Sequence, residues 1–269
     1  MARRAQWAAG VLGALLLLAL AAPWLTPYRH DFIDWQHLAS APQLEGSHWL
    51  GTDRLGRDLF ARGMQALRIS LLVGFVAALV SVVIGVAWGA VAGYIGGRLD
   101  AAMMRFVDIV YALPYVFIVI ILSTLFERGS LAALIIAIGA VGWLTMARIV
   151  RGQTLSLRRR EFIDAAIVSG VRTPAILWRH ILPNVAGPVI AYATLSIPQM
   201  ILFESFLSFL GLGVQEPFAS LGMLINEGAQ EMESSPWMLL VPATLLSLML
   251  VAFNLLGDGL RARLESRDE

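Results

Sequence analysis

Apolar residues run in long blocks along this chain rather than in alternation. Residues 7–26, 69–95, 106–126, 130–150, 185–206 and 237–256 are nearly continuous hydrophobic sequence. About 20 helical residues, each rising about 1.5 Å, cross a hydrocarbon core of about 30 Å. The pattern therefore predicts six transmembrane helices, with kinks at Pro188 and Pro198 in the fifth. The first block follows Met1, Ala2, Arg3 and Arg4 and reads as an uncleaved anchor. The alternative is a secretory signal peptide, for which Ala19-Leu20-Ala21 offers a small-x-small cleavage site.

The polar segments between the blocks set the orientation. The N-terminus, the Arg98/Arg105 turn, the 158–184 segment and the Arg261/Arg263 tail are basic. Residues 208–236 contain no Arg and carry Glu216, Glu227, Glu231 and Glu233. Positive charge favours the cytoplasmic side and carboxylates weigh little in that rule. The acidic segment then lies outside, with 28–65, and both termini lie in the cytoplasm. Two parts are expected: 1–66, an anchor helix with an extracytoplasmic loop, and 67–269, a five-helix core.

Within the second block Gly85, Gly89, Gly93 and Gly97 recur every fourth residue, and Ala77 and Ser81 extend the row. Small residues at that spacing make a flat strip on which another helix can approach closely.

The 158–184 segment, RRREFIDAAIVSGVRTPAILWRHILPN, is the most polar stretch between two apolar blocks. A helix is predicted over 161–169, with Phe162, Ile163, Ala166 and Ile167 on one face. Gly170 can close it in a left-handed conformation. Thr173 and Pro174 suit a second helix start, and Pro183 its end. A short amphipathic helix at the cytoplasmic surface needs a partner for its apolar face.

Composition narrows the chemistry. The chain has 269 residues, 58% hydrophobic and 14% charged, which suits an integral membrane protein. Without Cys there are no disulfides or thiolate sites. All 20 basic residues are Arg. A nucleotide-binding P-loop requires Lys, so any ATP that drives this chain is hydrolysed by another polypeptide. No catalytic set is assigned. His180 is the only His outside 28–65, no H-E-x-x-H occurs, and Gly211-Leu212-Gly213 lacks the strand–turn–helix setting of a dinucleotide fingerprint.

Several motifs resemble one family. Asp164-Ala165-Ala166, Gly170 and Leu182-Pro183 resemble the EAA loop of bacterial ABC-importer permeases, E-A-A-x(3)-G-x(9)-I-x-L-P. Asp164 stands where Glu is usual, and His180 where an apolar residue is usual. Four further strings are similar to the dipeptide/oligopeptide/nickel branch: RHILPN from Arg179, SHWLGTDRLGRD from Ser47, LSFLGLGV from Leu207 and GDGLR from Gly257.

The resemblance covers about 49–263. It implies an all-α type I ABC-importer permease fold, like that of methionine importers, with six transmembrane helices and a cytoplasmic coupling helix. The residues it marks for ATPase coupling are Glu161, Phe162, Asp164, Ala165, Ala166, Gly170, Leu182 and Pro183. It implies a homologous second permease, two cytoplasmic ATPase subunits that bind ATP and Mg, and an extracytoplasmic binding protein. The surroundings are the bilayer of a bacterial inner membrane, and nucleic acid is not expected. Di- and oligopeptides, nickel chelates, glutathione and antimicrobial peptides are all handled by relatives with these motifs, so the substrate stays open.

Three further groups remain. Asp108 and Glu204 are the charges nearest hydrocarbon. A central charge costs about 2.5–3.5 kcal/mol on insertion scales, so each is a candidate for either a pathway group or a structural pair. In a stand-alone secondary transporter they would be the coupling carboxylates, but no inverted repeat is visible. Asp53 and Asp58 are expected to pair with Arg54, Arg57 or Arg62. His30, His37 and His48 match no metal-ligand spacing, so no metal site is assigned.

Overall fold

The structure, a computed structural model, describes residues 2–43, 48–125 and 130–265. Among these the regular structure is helical, apart from an isolated antiparallel bridge between Thr52 and Asp58. Ser47 and Phe126, ends of a predicted motif and a predicted span, lie outside the described residues. The helices are α1 (Ala2–Leu25), α2 (Leu59–Ile95), α3 (Gly97–Ala112), α4 (Tyr115–Leu125), α5 (Leu131–Leu157), α6 (Glu161–Val168), α7 (Thr173–Ile176), α8 (Leu182–Phe209), α9 (Leu221–Gln230) and α10 (Trp237–Glu265). Five of the helical stretches are long and apolar enough to cross a membrane, or six if α3 and α4 are one broken span.

Helix α2 starts ten residues before the predicted span, so the expected division at 66/67 falls inside it. The sequence from Leu59 looked too polar because of Arg62, Gln65 and Arg68. Their surroundings resolve this. The Asp58 carboxylate caps the helix by accepting from the Ala61 N–H. Arg62 is neutralised by carboxylates, and Arg68 Nε donates to the Ala19 carbonyl of α1.

The glycine strip lies against α5, the most extensively packed partner of α2. A Cβ on Gly85 would stand 2.6 Å from Met146 Cβ, and one on Gly93 2.8 Å from the Arg151 carbonyl oxygen. A Cβ on Gly89 would run into the Ala147 carbonyl. The approach is reciprocal, since Gly139 and Gly142 of α5 face Val80 and Ser81. Gly97 departs from the expected row. It has φ +62° and open space where a Cβ would be. With Gly96, at φ +71°, it forms the turn that sends the chain from α2 into α3.

The third predicted span is two helices meeting at 93°. Residues 97–105, expected as loop, are the first half of α3. Pro114 supplies the break: it has no N–H to donate, and it holds Leu113 extended at φ −77°, ψ 135°. Helix α8 departs in the other direction. Pro183 was expected to end a helix, yet helical sequence runs on from α7 into α8. A π turn over Leu177–Ile181 bridges the two, with the Leu182 N–H donating five residues back to Leu177. The Asn184 side chain donates to the His180 carbonyl at 2.6 Å, beside the position where proline offers no donor. Pro188 and Pro198 also lie inside α8.

Helix α9 sits in the acidic segment expected to be loop. Ser220 caps it, and its apolar residues Leu221 and Leu224 join a core with Leu67 of α2 and Met249 of α10.

Candidate functional site

The chemistry-bearing residues gather at the two ends of the helices. At one end, α6 is built as the sequence predicted and oriented differently. Its C-terminus is a Schellman turn. The Val171 N–H donates to the Ala166 carbonyl, the Gly170 N–H donates to Ile167, and Gly170 has φ +75°. Of the four apolar residues expected on one outward face, Ile163 and Ala166 point inward. Ile163 is fully buried, and both pack with Tyr94 of α2, Val150 of α5, and Ile176, Ile181 and Val185 of the following helices. Helical spacing gave the face correctly but not which side it met. The polar context hid an apolar floor made by residues of α2 and α5 upstream and of the helices downstream.

The outward side carries Phe162, Ile167 and Val168, at 42%, 51% and 89% exposure, with Glu161, Asp164 and Ala165 also exposed. Trp178, 74% exposed, lies beyond the loop, and the His180 ring is 6.4 Å from that of Phe162. Leu182 is partly buried and Pro183 exposed. Among the described residues, no ion pair forms at Arg159, Arg160, Arg172 or Arg179. Exposed apolar residues and arginines without an ion pair thus share the 158–184 segment. Behind it, Arg151 of α5 grips Asp100 of α3, with Nη2 to Oδ2 at 2.6 Å.

The opposite end is closed on itself. Asp53, fully buried, receives Arg57 Nε at 2.6 Å and also contacts Arg62 Nη1. Arg57 reaches Glu216 at 2.6 Å, and Arg62 holds Glu227 of α9 with two bonds of 2.7 and 3.0 Å. The 26–58 loop is thereby tied to the acidic 210–236 segment, as expected if both lie on one side of the membrane. The Arg57 guanidinium holds the Glu216 carboxyl below its ordinary range. Asp58, expected to pair with Arg, instead accepts from His48 Nδ1 at 2.9 Å. His37 and His48 converge with Asp34, a grouping that residue spacing does not reveal. His30 stands apart beside Asp31, and burial pushes its imidazole below the ordinary value.

The two intramembrane carboxylates have different surroundings. Glu204 is fully buried in α8. It accepts from Ser70 of α2 at 2.7 Å and from Ser208 at 2.7 Å, and Ser70 Oγ accepts from the Leu221 N–H. It ties α2, α8 and α9 together. Asp108 is exposed and bonded to Arg148 at 2.8 Å, whose guanidinium lies over Tyr111. Next to this pair, a cavity of about 320 Å³ opens between α3, the start of α4, α5 and α8, lined by Tyr111, Tyr115, Thr145, Tyr192 and Gln199 among others. Sequence reasoning passed over these residues. Tyr, Thr and Gln inside apolar blocks were the available signal.

A helical membrane protein with a sharply bent helix pair and a short helix bare on its outer side has the build of a transporter's membrane subunit. The chain belongs to the family of binding-protein-dependent transport system inner membrane components, whose pattern matches residues 85–267. It is similar to the oligopeptide transport system permease protein OppC of Haemophilus influenzae, 51% identical over 96% of this chain and 83% of that protein. The OppC of Escherichia coli strain K12 is 53% identical over 96% of this chain and 85% of its own length. The dipeptide transport system permease protein DppC of Bacillus subtilis is 44% identical, over 96% and 80%. Among solved structures, a chain of the MetNI methionine ABC transporter in inward-facing conformations superposes with a TM-score of 0.61. It covers 74% of this chain and 94% of that one, at 17% identity. The fold is that of a type I ABC-importer permease.

Proposed function

We propose that this chain is one permease subunit of an ATP-driven importer of oligopeptides, and that α6 is the element through which a separate ATPase moves it. One observation carries the coupling reading: α6 is fixed to the permease body by Ile163 and Ala166 while Phe162, Ala165 and Val168 face outward. A helix held rigidly on one side and bare on the other can transmit a push without folding first. The peptide substrate rests on the relatives' names and on their identity over nearly the whole chain.

In this reading a homologous second permease completes the pathway, and two ATPase subunits supply ATP and Mg. An extracytoplasmic binding protein delivers the peptide to the closed end. Both termini lie in the cytoplasm of a multi-pass inner-membrane protein. The cleft beside Tyr111, Tyr192 and Gln199 supports a pathway on the α3–α8 side, where Asp108 and Arg148 stand at its edge. The chain's own contribution is positional, since catalytic groups are neither expected in the sequence nor needed.

Reconstitution tests it. Proteoliposomes holding the complete complex should take up a labelled oligopeptide only with ATP and the binding protein together. Uptake driven by a proton gradient in the absence of the ATPases would contradict the proposal and revive the secondary-transporter reading.

A further inference from the structure

We propose that Asp34, His37 and His48 form a binding site for one divalent transition-metal cation, with Zn²⁺ the best fit to its donors. The inference stands on the 26–58 loop alone and does not depend on the transport reading. The three side chains offer Asp34 Oδ2, His37 Nδ1 and His48 Nε2, all within 4.8 Å of one another. Two imidazoles and a carboxylate are the donor set that borderline cations such as Zn²⁺ take, with an open fourth position.

The geometry around His48 suits a cation. Its Nδ1 lies 2.9 Å from the Asp58 carboxylate, which is buried and caps α2 through its other oxygen. Its Nε2 faces Asp34 Oδ2, 3.4 Å away. A charge-assisted N–H···O bond is about 2.7–2.9 Å long. Two ligand atoms on a tetrahedral ion with bonds of about 2.0–2.1 Å lie about 3.3 Å apart, which is the spacing found. His37 Nδ1, at 2.9 Å from the same oxygen, needs to withdraw by a few tenths of an ångström.

The surroundings hold the donors in place. Asp58 orients His48 as a carboxylate orients a metal-bound imidazole, and Tyr28 stacks on the His48 ring at 4.3 Å. The Gln36 N–H donates to Asp34 Oδ1, leaving Oδ2 turned to the histidines. The Asp34 backbone N–H donates to the Gly56 carbonyl. Gly56, at φ +79°, leaves no room for a Cβ against the Asp34 carbonyl. His37, 42% exposed at its side chain, leaves an entry from solvent. A bound ion would clasp the 34–37 turn to the segment that carries Asp53 and Arg57.

The test uses the full chain in detergent, carrying a tag without histidine, stripped with a chelator and titrated with Zn²⁺ alone. Wild type should bind one equivalent, and Co²⁺ in its place should give visible ligand-field bands. His37→Ala, at an exposed position where folding is spared, should weaken Zn²⁺ binding about tenfold or more. His30→Ala and His180→Ala should bind as wild type does. Zn²⁺ should also slow amide exchange over 34–58 in wild type but not in His37→Ala. Absence of a bound equivalent in wild type, or an unchanged affinity in His37→Ala, overturns the site and leaves Asp34, His37 and His48 as a hydrogen-bonded cluster only.

Discussion

The two ends of the molecule are finished in opposite ways. At the end that carries Asp53, every charge of the Asp53–Arg57–Arg62 group is answered within the chain, across sequence separations as large as that between Arg62 and Glu227. At the α6 end, Phe162, Val168 and Trp178 are exposed, and the described residues provide no ion pair for Arg159, Arg160, Arg172 or Arg179. One end is a self-contained cap that ties the 26–58 loop to the 210–236 segment. The other is an open surface, which the proposed function gives to the ATPase. The difference teaches that burial, more than residue type, separates a structural charge from an interaction surface.

The sharpest break in the comparison should come at the cap. Asp53→Ala leaves Arg57 and Arg62 without the buried carboxylate they share. Breaking a buried ion pair costs about 3–5 kcal/mol, so the yield of folded protein in membranes should fall severely. Near-normal yield and thermal stability would show that the cap is not a closed unit.

A smaller loss is expected on the helix seam that joins the two ends. Gly89→Leu forces α5 away from α2, and overpacking of this kind costs about 1–3 kcal/mol. Gly97→Ala, off the seam, meets open space and pays only for its left-handed backbone, about 1 kcal/mol. Melting temperatures in detergent should rank Gly89→Leu well below Gly97→Ala. The reverse order would put Gly97 back in the packed row.

The Arg57–Glu216 contact should titrate. The folded Glu216 pKa is depressed, so its contribution is present above the ordinary carboxylate value of about 4.3 and is lost as pH falls through the lower folded value. Glu216 is 55% exposed at its side chain, and screening keeps the effect below about 1 kcal/mol. Glu216→Gln should flatten the acid limb of the stability profile slightly, and an unchanged limb would remove this contact from the account.

The sequence made the spans, the glycine strip and the helix at 161–168 legible, because each is written in local periodicity. It did not make legible the register of what meets what. Arg62 and Gln65 made the start of α2 look like loop, because their partners lie outside it. Leu221 and Leu224 were hidden in an acidic segment. Pro183 looked like a stop, because a π turn absorbs the missing donor through Leu177 and Asn184. Ile163 and Ala166 were placed on the correct face, but only the packed structure shows that this face looks inward. The broken third span was signalled by Pro114, yet its 93° turn depends on packing that no local pattern encodes.

The central claim is that α6 presents its outer side to an ATPase while its inner side is anchored. Comparing Ala165→Arg with Ala166→Arg tests it most directly, through the fraction of ATPase retained on the purified complex after detergent washing. Ala165 is exposed and Ala166 is buried. Ala165→Arg should leave the chain's own melting temperature unchanged while ATPase retention falls about tenfold, the equivalent of about 1.4 kcal/mol of lost contact. Ala166→Arg should lower the melting temperature first, because it forces a charge against Ile176 and Ile181. Full ATPase retention by Ala165→Arg, with binding-protein-stimulated turnover intact, would contradict the claim.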